Sequence, residues 1–122
     1  MKKILIAFLF SISLPTFAAD SGFRPIKFSC EGHDFTLFLG NAGVAVVRDD
    51  ELMSDSSIVD KPYGDIQDAS ILTFDHWGAN GGMHVHYNAV FDGSWKIKKV
   101  SSVYLDADNA QRDDPNILKC KQ

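Results

Sequence analysis

Residues 84–105, HVHYNAVFDGSWKIKKVSSVYL, hold the longest strict two-residue alternation in the chain, and this limits most sharply what it can fold into. Val85, Tyr87, Ala89 and Phe91 are apolar at odd positions, and Trp95, Ile97, Val103 and Leu105 continue the row. A period of two is the pleat of a β-strand, and Asp92-Gly93 between the halves marks a turn, so the stretch reads as a β-hairpin. A two-residue turn would set Phe91 opposite Ser94 and send the apolar rows to opposite faces. A three-residue loop, Phe91-Asp92-Gly93 with glycine in the left-handed position, pairs odd with odd and keeps both rows on one face. The second face then carries His84, His86 and Asn88 beside Lys96 and Lys98. An unpaired hairpin edge would leave room for a homodimer.

Residues 1–19 read as a secretory leader: Lys2 and Lys3, an apolar run, Pro15, then the small residues Ala18 and Ala19. The run is too short to anchor in a bilayer and no cysteine follows it for lipidation, so residues 20–122 are expected as one domain without a membrane anchor, in the periplasm. Of the twelve Lys and Arg two lie in this leader, whereas all sixteen Asp and Glu lie beyond it. That acidic balance disfavours nucleic acid and anionic membrane and favours a basic protein partner. Cys30 and Cys120 are the only cysteines; in an oxidising compartment they are expected to form one disulfide closing nearly the whole domain.

The rest of the mature chain alternates in short runs separated by turn residues. Ile26, Phe28 and Cys30 form one strand, Phe35, Leu37 and Leu39 a second, Val44 to Val47 a third, and residues 69–75 a fourth. Residues 49–65, DDELMSDSSIVDKPYGD, lose this density and read as a solvated connection with one helical turn near residues 50–53; the functional alternative is an acidic contact loop. Residues 76–83, HWGANGGM, join two strands, and Trp77 there either folds back onto the core or anchors a partner from a glycine-rich recognition loop. Residues 106–109 form a turn, and the tail returns Ile117, Leu118 and Cys120 to the first strand. The fold class expected is mostly β, a single small antiparallel sandwich or barrel-like domain of about six strands with one disulfide.

Three histidines, His76, His84 and His86, lie close enough in sequence to suggest zinc or copper. Lysines on the same strand face would repel a dication, so the reading is no metal and no cofactor. Gly93-Ser94 is not a nucleophile elbow, the paired aspartates sit in polar runs, and no phosphate-cradling loop is present, which points away from an enzyme. What remains is a binding module.

The segment Phe28-Ser29-Cys30-Glu31-Gly32-His33-Asp34-Phe35, with its partner cysteine near the C-terminus, resembles the start and disulfide plan of periplasmic lysozyme inhibitors of the membrane-bound and periplasmic C-type class. The resemblance covers about a dozen residues. The Ser-Gly-x-Arg-Tyr-like signature with which such inhibitors enter the lysozyme cleft is replaced here by Ser70-Ile71-Leu72-Thr73, so it supplies no inhibitory residue. A small secreted β-domain with one disulfide is also similar to periplasmic immunity proteins against type VI secretion effectors, many of which degrade cell wall. Both likenesses imply a protein that blocks a peptidoglycan hydrolase. The residues expected to touch such a partner are His76, Trp77, Asn80 and His84 around the glycine loop, with Lys96 and Lys98 in support and acidic residues 49–51 against a basic rim. The competing expectation is a periplasmic carrier of a small ligand or of zinc or copper.

Overall fold

A computed structural model describes residues 24–41, 43–78, 83–111 and 113–122. The leader and Asn80 lie outside these residues. The chain forms ten strand segments: β1 (Arg24–Cys30), β2 (His33–Gly40), β3 (Gly43–Arg48), β4 (Glu51–Leu52), β5 (Ser54–Asp60), β6 (Ser70–Trp77), β7 (His84–Phe91), β8 (Ile97–Leu105), β9 (Asn116–Leu118) and β10 (Cys120–Lys121). They build two five-stranded antiparallel sheets, ordered β10-β1-β2-β3-β4 and β9-β8-β7-β6-β5. The mostly-β sandwich-like class is the one the alternation predicts.

Two bends carry the chain between the sheets. Between β4 and β5, Met53 is buried and its N–H donates to the Val46 carbonyl at 2.8 Å. Between β9 and β10, Lys119 exchanges bonds with Glu31: its N–H donates to the Glu31 carboxylate at 2.9 Å and its carbonyl accepts from the Glu31 N–H at 3.2 Å. Immediately beyond, Cys120 pairs in register with Cys30 and is bonded to it, as the two-cysteine reading expects. The order is that of a flattened barrel in which each bent segment serves both sheets.

Tight turns fix the registers. Glu31 (φ 48°) and Gly32 (φ 91°) join β1 to β2, and Asp49 (φ 48°) and Asp50 (φ 70°) join β3 to β4. Paired positive φ values match the right-handed twist of the flanking strands, which is why two-residue hairpins adopt them. Asp49 pays for its conformation with hydrogen bonds, since its carboxylate accepts the Asp34 N–H at 2.8 Å and meets His33 Nδ1. The Asp34 N–H and then His33 hold the Asp49 carboxyl below the usual carboxylate range.

The β7–β8 hairpin departs from the expected register. Its loop spans residues 92–96, the left-handed residue is Trp95 (φ 61°), and Gly93 instead allows the Asp68 carboxylate to pack close to the backbone. Asp92 closes the loop by accepting the N–H groups of Ser94 (2.8 Å) and Lys96 (3.0 Å). Residues 106–110 repeat the same construction, with Asp106 accepting the N–H groups of Asp108 and Ala110 and Asn109 left-handed at φ 61°. Phe91 pairs with Ile97 but Val90 with Lys99, so Lys98 is an extra residue in β8. That bulge reverses the phase of everything after it. Trp95 and Ile97 pack on the core as expected, while Val103 and Leu105 sit opposite His86 and His84 on the outer face.

A second correction concerns residues 49–65. They contain no helical turn and are not a loop throughout, for β4 and β5 pair with β3 and β6. Segment β5 turns Ile58 and Asp60 to the inner face, in register with Leu72 and Ser70, and is held chiefly by backbone pairing and by a 2.7 Å bond from Ser70 Oγ to Asp60.

Inside, the rings of both sheets interlock. Phe28 stacks on Phe35 at 5.0 Å, Phe74 on Tyr87 at 4.9 Å, and Phe35 meets Phe74 and Tyr87 at 5.7 and 5.6 Å. Leu37, Val46, Leu72, Ala89, Phe91 and Val100 are buried around them. Aromatic pairs add about 0.5–1.5 kcal/mol each beyond their area burial, so this chain of rings is the centre of the fold's stability.

Candidate functional site at one end of the sandwich

Where the aromatic core ends, the same inward alternation delivers polar side chains. On β6, Ser70, Leu72 and Phe74 point inward and His76 follows; on β3, Val46 is followed by Arg48; on β7, Tyr87 turns its hydroxyl to Arg48. Arg48 Nη1 donates to the Tyr87 hydroxyl at 3.1 Å, and Nη2 donates to His76 Nε2, also at 3.1 Å. Arginine only donates and a carboxylate only accepts, so Nε2 bonds Arg48 when it offers its lone pair and Glu51 when it carries the proton, but not both at once. Glu51, opposite Arg48 in register, brings Oε2 to 3.3 Å from the same imidazole nitrogen. Arg48 Nε is buried and has no hydrogen-bond partner among the described residues.

At this end of the β6–β7–β8 sheet three large apolar side chains are exposed. Trp77 ends β6, Met83 precedes β7, and Tyr104 lies opposite Val85 near the end of β8; they are 39%, 46% and 50% exposed. Trp77 is not a core residue. It lies on the outer face, its ring stacked on His84 at 3.9 Å with 20° between the planes. His84 is consequently buried at 2% exposure, and its Nδ1 has no partner among the described residues. One row further, His86 Nδ1 meets Asp75 Oδ1 at 2.6 Å, which aligns that imidazole against β6.

Of the residues expected to meet a partner, His76, Trp77 and His84 are therefore brought to one end, with His84 beneath Trp77. Lys96 and Lys98 are not brought to them. Lys96 ends the β7–β8 loop and Lys98 follows in β8, about 20 Å away along β7 at the usual strand rise, and Lys98 pairs with Asp92 at 3.6 Å. The histidine face is flanked by Val103 and Leu105 rather than by lysines. Among the described residues no group of three or more His, Cys, Asp or Glu is arranged to hold a metal ion. The turn at Asp49 and Asp50 and the adjoining Glu51 place three carboxylates at the same end as these apolar side chains.

Arg48, Tyr87 and Tyr104 are absent from the sequence-based set, whereas Met83 closes the segment 76–83, which the sequence offers as a recognition loop. A signal for Arg48 exists in the sequence: it continues the even phase of Val44 and Val46, which puts a charge in an inward register. Tyr104 was hidden by the bulge at Lys98, which turns it to the inner side. Compared with known proteins, the chain matches no family model, no curated protein and no solved structure.

Proposed function

We propose that this protein is a periplasmic inhibitor of a peptidoglycan hydrolase, acting as a lysozyme inhibitor or as an immunity protein against a type VI secretion effector, and that it docks through the end bearing Trp77. It is a binding protein in this reading, not an enzyme. The observation that carries it is the exposure of Trp77, Met83 and Tyr104 at the same end of the sandwich as Arg48 and His76, on a domain whose interior is filled with its own aromatic rings. Aromatic and arginine side chains concentrate binding energy at protein interfaces because they combine large contact area with directed polar groups. The acidic turn at Asp49 and Asp50 at this end would meet a basic rim on the partner, in keeping with the acidic mature chain. The filled interior also supports a protein partner over a small ligand carried inside. The leader, with its lysines and small-residue end, supports export to the compartment where such hydrolases act.

The test is inhibition of cell-wall digestion. The mature protein is titrated into muramidases, amidases and endopeptidases acting on dye-labelled peptidoglycan, with secreted effectors of neighbouring bacteria included. The expected result is saturating inhibition of one enzyme near equimolar ratio; digestion unchanged for every hydrolase class would remove the assignment.

A further inference from the structure

Arg48 is placed as structural arginines usually are not. Its guanidinium is partly buried between the sheets and contacts the Tyr87 hydroxyl and His76 Nε2. Among the described residues no carboxylate lies within ion-pair distance of it; Glu51, which faces it across the β3–β4 pairing, brings its Oε2 to 3.3 Å from His76 Nε2 instead. Its Nε is buried without a partner. Withdrawing a charge from water is costly unless an opposite charge and hydrogen bonds compensate it; Arg48 has two hydrogen bonds and the through-space charge of Asp49 but no direct ion pair, so its compensation is partial. The side chain is held in place by Tyr87 and His76, so little further entropy is lost when a ligand meets it.

We propose that the mouth formed by Arg48, His76 and Tyr87 is a receptor for a carboxylate, supplied by an acidic group of the protein partner that docks at the Trp77 end. The guanidinium has five N–H donors, of which Tyr87 and His76 take two, and one remains on each Nη. Two parallel N–H groups match a carboxylate fork, which a lysine in this place would not. Tyr87 and His76 act as positioning residues that fix the plane of the fork. Glu51 is the resident competitor: its side chain is 57% exposed, it stands opposite Arg48, and its negative charge opposes an incoming carboxylate. The source of the carboxylate rests on the docking reading above; the chemistry of the receptor does not.

The experiment has two arms. In the first, the mature protein is titrated with acetate at constant ionic strength, with chloride as the exchanged anion, while the Arg48 Nε–H and His76 ring resonances are followed by NMR. Saturable shifts are expected in the wild type, with affinity reduced about tenfold in Arg48→Gln and increased about threefold in Glu51→Gln, changes of the size expected for one charge-assisted bond and one removed competitor. Glu51→Gln alters an exposed side chain beside a turn, so it keeps the test decisive if Arg48→Gln does not fold. Shifts that are linear in acetate, or an affinity that Glu51→Gln leaves unchanged, overturn the receptor while leaving the docking surface standing. In the second arm, affinity for the inhibited hydrolase should fall at least about tenfold in Arg48→Gln or Arg48→Lys. Acetate binding with unchanged hydrolase affinity overturns the assignment of the carboxylate to the partner.

Discussion

Replacing both Cys30 and Cys120 by alanine should cost most of the margin by which this domain stays folded. The bridge joins residues 90 apart in sequence. Releasing a closed loop of that length returns chain entropy to the unfolded state worth about 4.6 kcal/mol, against a total of about 5–15 kcal/mol for an ordinary domain. The folded state should survive the change. β10 keeps its pairing of Cys120 with Cys30 and Lys121 with Ser29, and Lys119 keeps both bonds to Glu31. The loss therefore falls on the equilibrium rather than on the architecture. Urea unfolding followed by fluorescence reads it, because Trp95 packs on Phe91 with ring centroids 5.6 Å apart and reports on the core. With a slope of about 1–1.5 kcal/mol per molar urea, the midpoint should fall by about 3–4.5 M, and wild type under reductant should follow the alanine variant. A fall below about 1 M at unchanged slope would show that the bent β9–β10 segment closes the barrel without its covalent link, and would refute the reasoning.

Three further outcomes follow from local geometry. Asp50→Gly should raise stability by about 0.5–1 kcal/mol, because Asp50 is exposed with φ 70° and glycine adopts that conformation without a Cβ penalty; the urea midpoint checks it. Asp49→Ala should lower stability near neutral pH by less than about 1 kcal/mol, since the carboxylate is solvent-screened. The Asp49 pKa is lowered on folding, so its contribution is full above the unfolded value of about 4 and is lost as pH falls through the lower folded value; the gap between variant and wild type should close on acidification, in thermal melts taken from pH 7 to pH 2. Zinc at micromolar concentration should leave the melting temperature unchanged, and a rise that His84→Ala and His86→Ala together abolish would restore the carrier reading.

Most of the sheet framework was legible because its inner residues are apolar at a period of two: Ile26 and Phe28, Phe35 and Leu37, Tyr87 and Ala89 all face the core as their alternation requires. β5 was not, since its inward positions in register with β6 are Ile58 and Asp60 and its place is fixed by that pairing. The β8 register failed for a different reason. One extra residue, Lys98, shifts the phase without any glycine or proline to announce it, so Val103 and Leu105 change faces and Tyr104 moves to the inner side. At the candidate site, His76 and Trp77 were readable from their position before a glycine-rich segment, whereas burial of His84 depends on a ring stacked from the neighbouring strand. Arg48 and Tyr87 meet from different sheets and lie 39 residues apart in sequence, a juxtaposition that local pattern does not encode.

The proposed docking of a hydrolase on the Trp77 end is tested most directly by Trp77→Ala measured twice on one preparation. Trp77 is outside the core and loses mainly its stack on His84, so stability should fall by only about 0.5–1.5 kcal/mol. As an interface anchor it should cost at least about 2 kcal/mol of affinity, roughly thirtyfold in the inhibition constant for the hydrolase. Undiminished inhibition together with a loss of about 3–5 kcal/mol in stability, the cost of emptying a core aromatic site, would contradict the account.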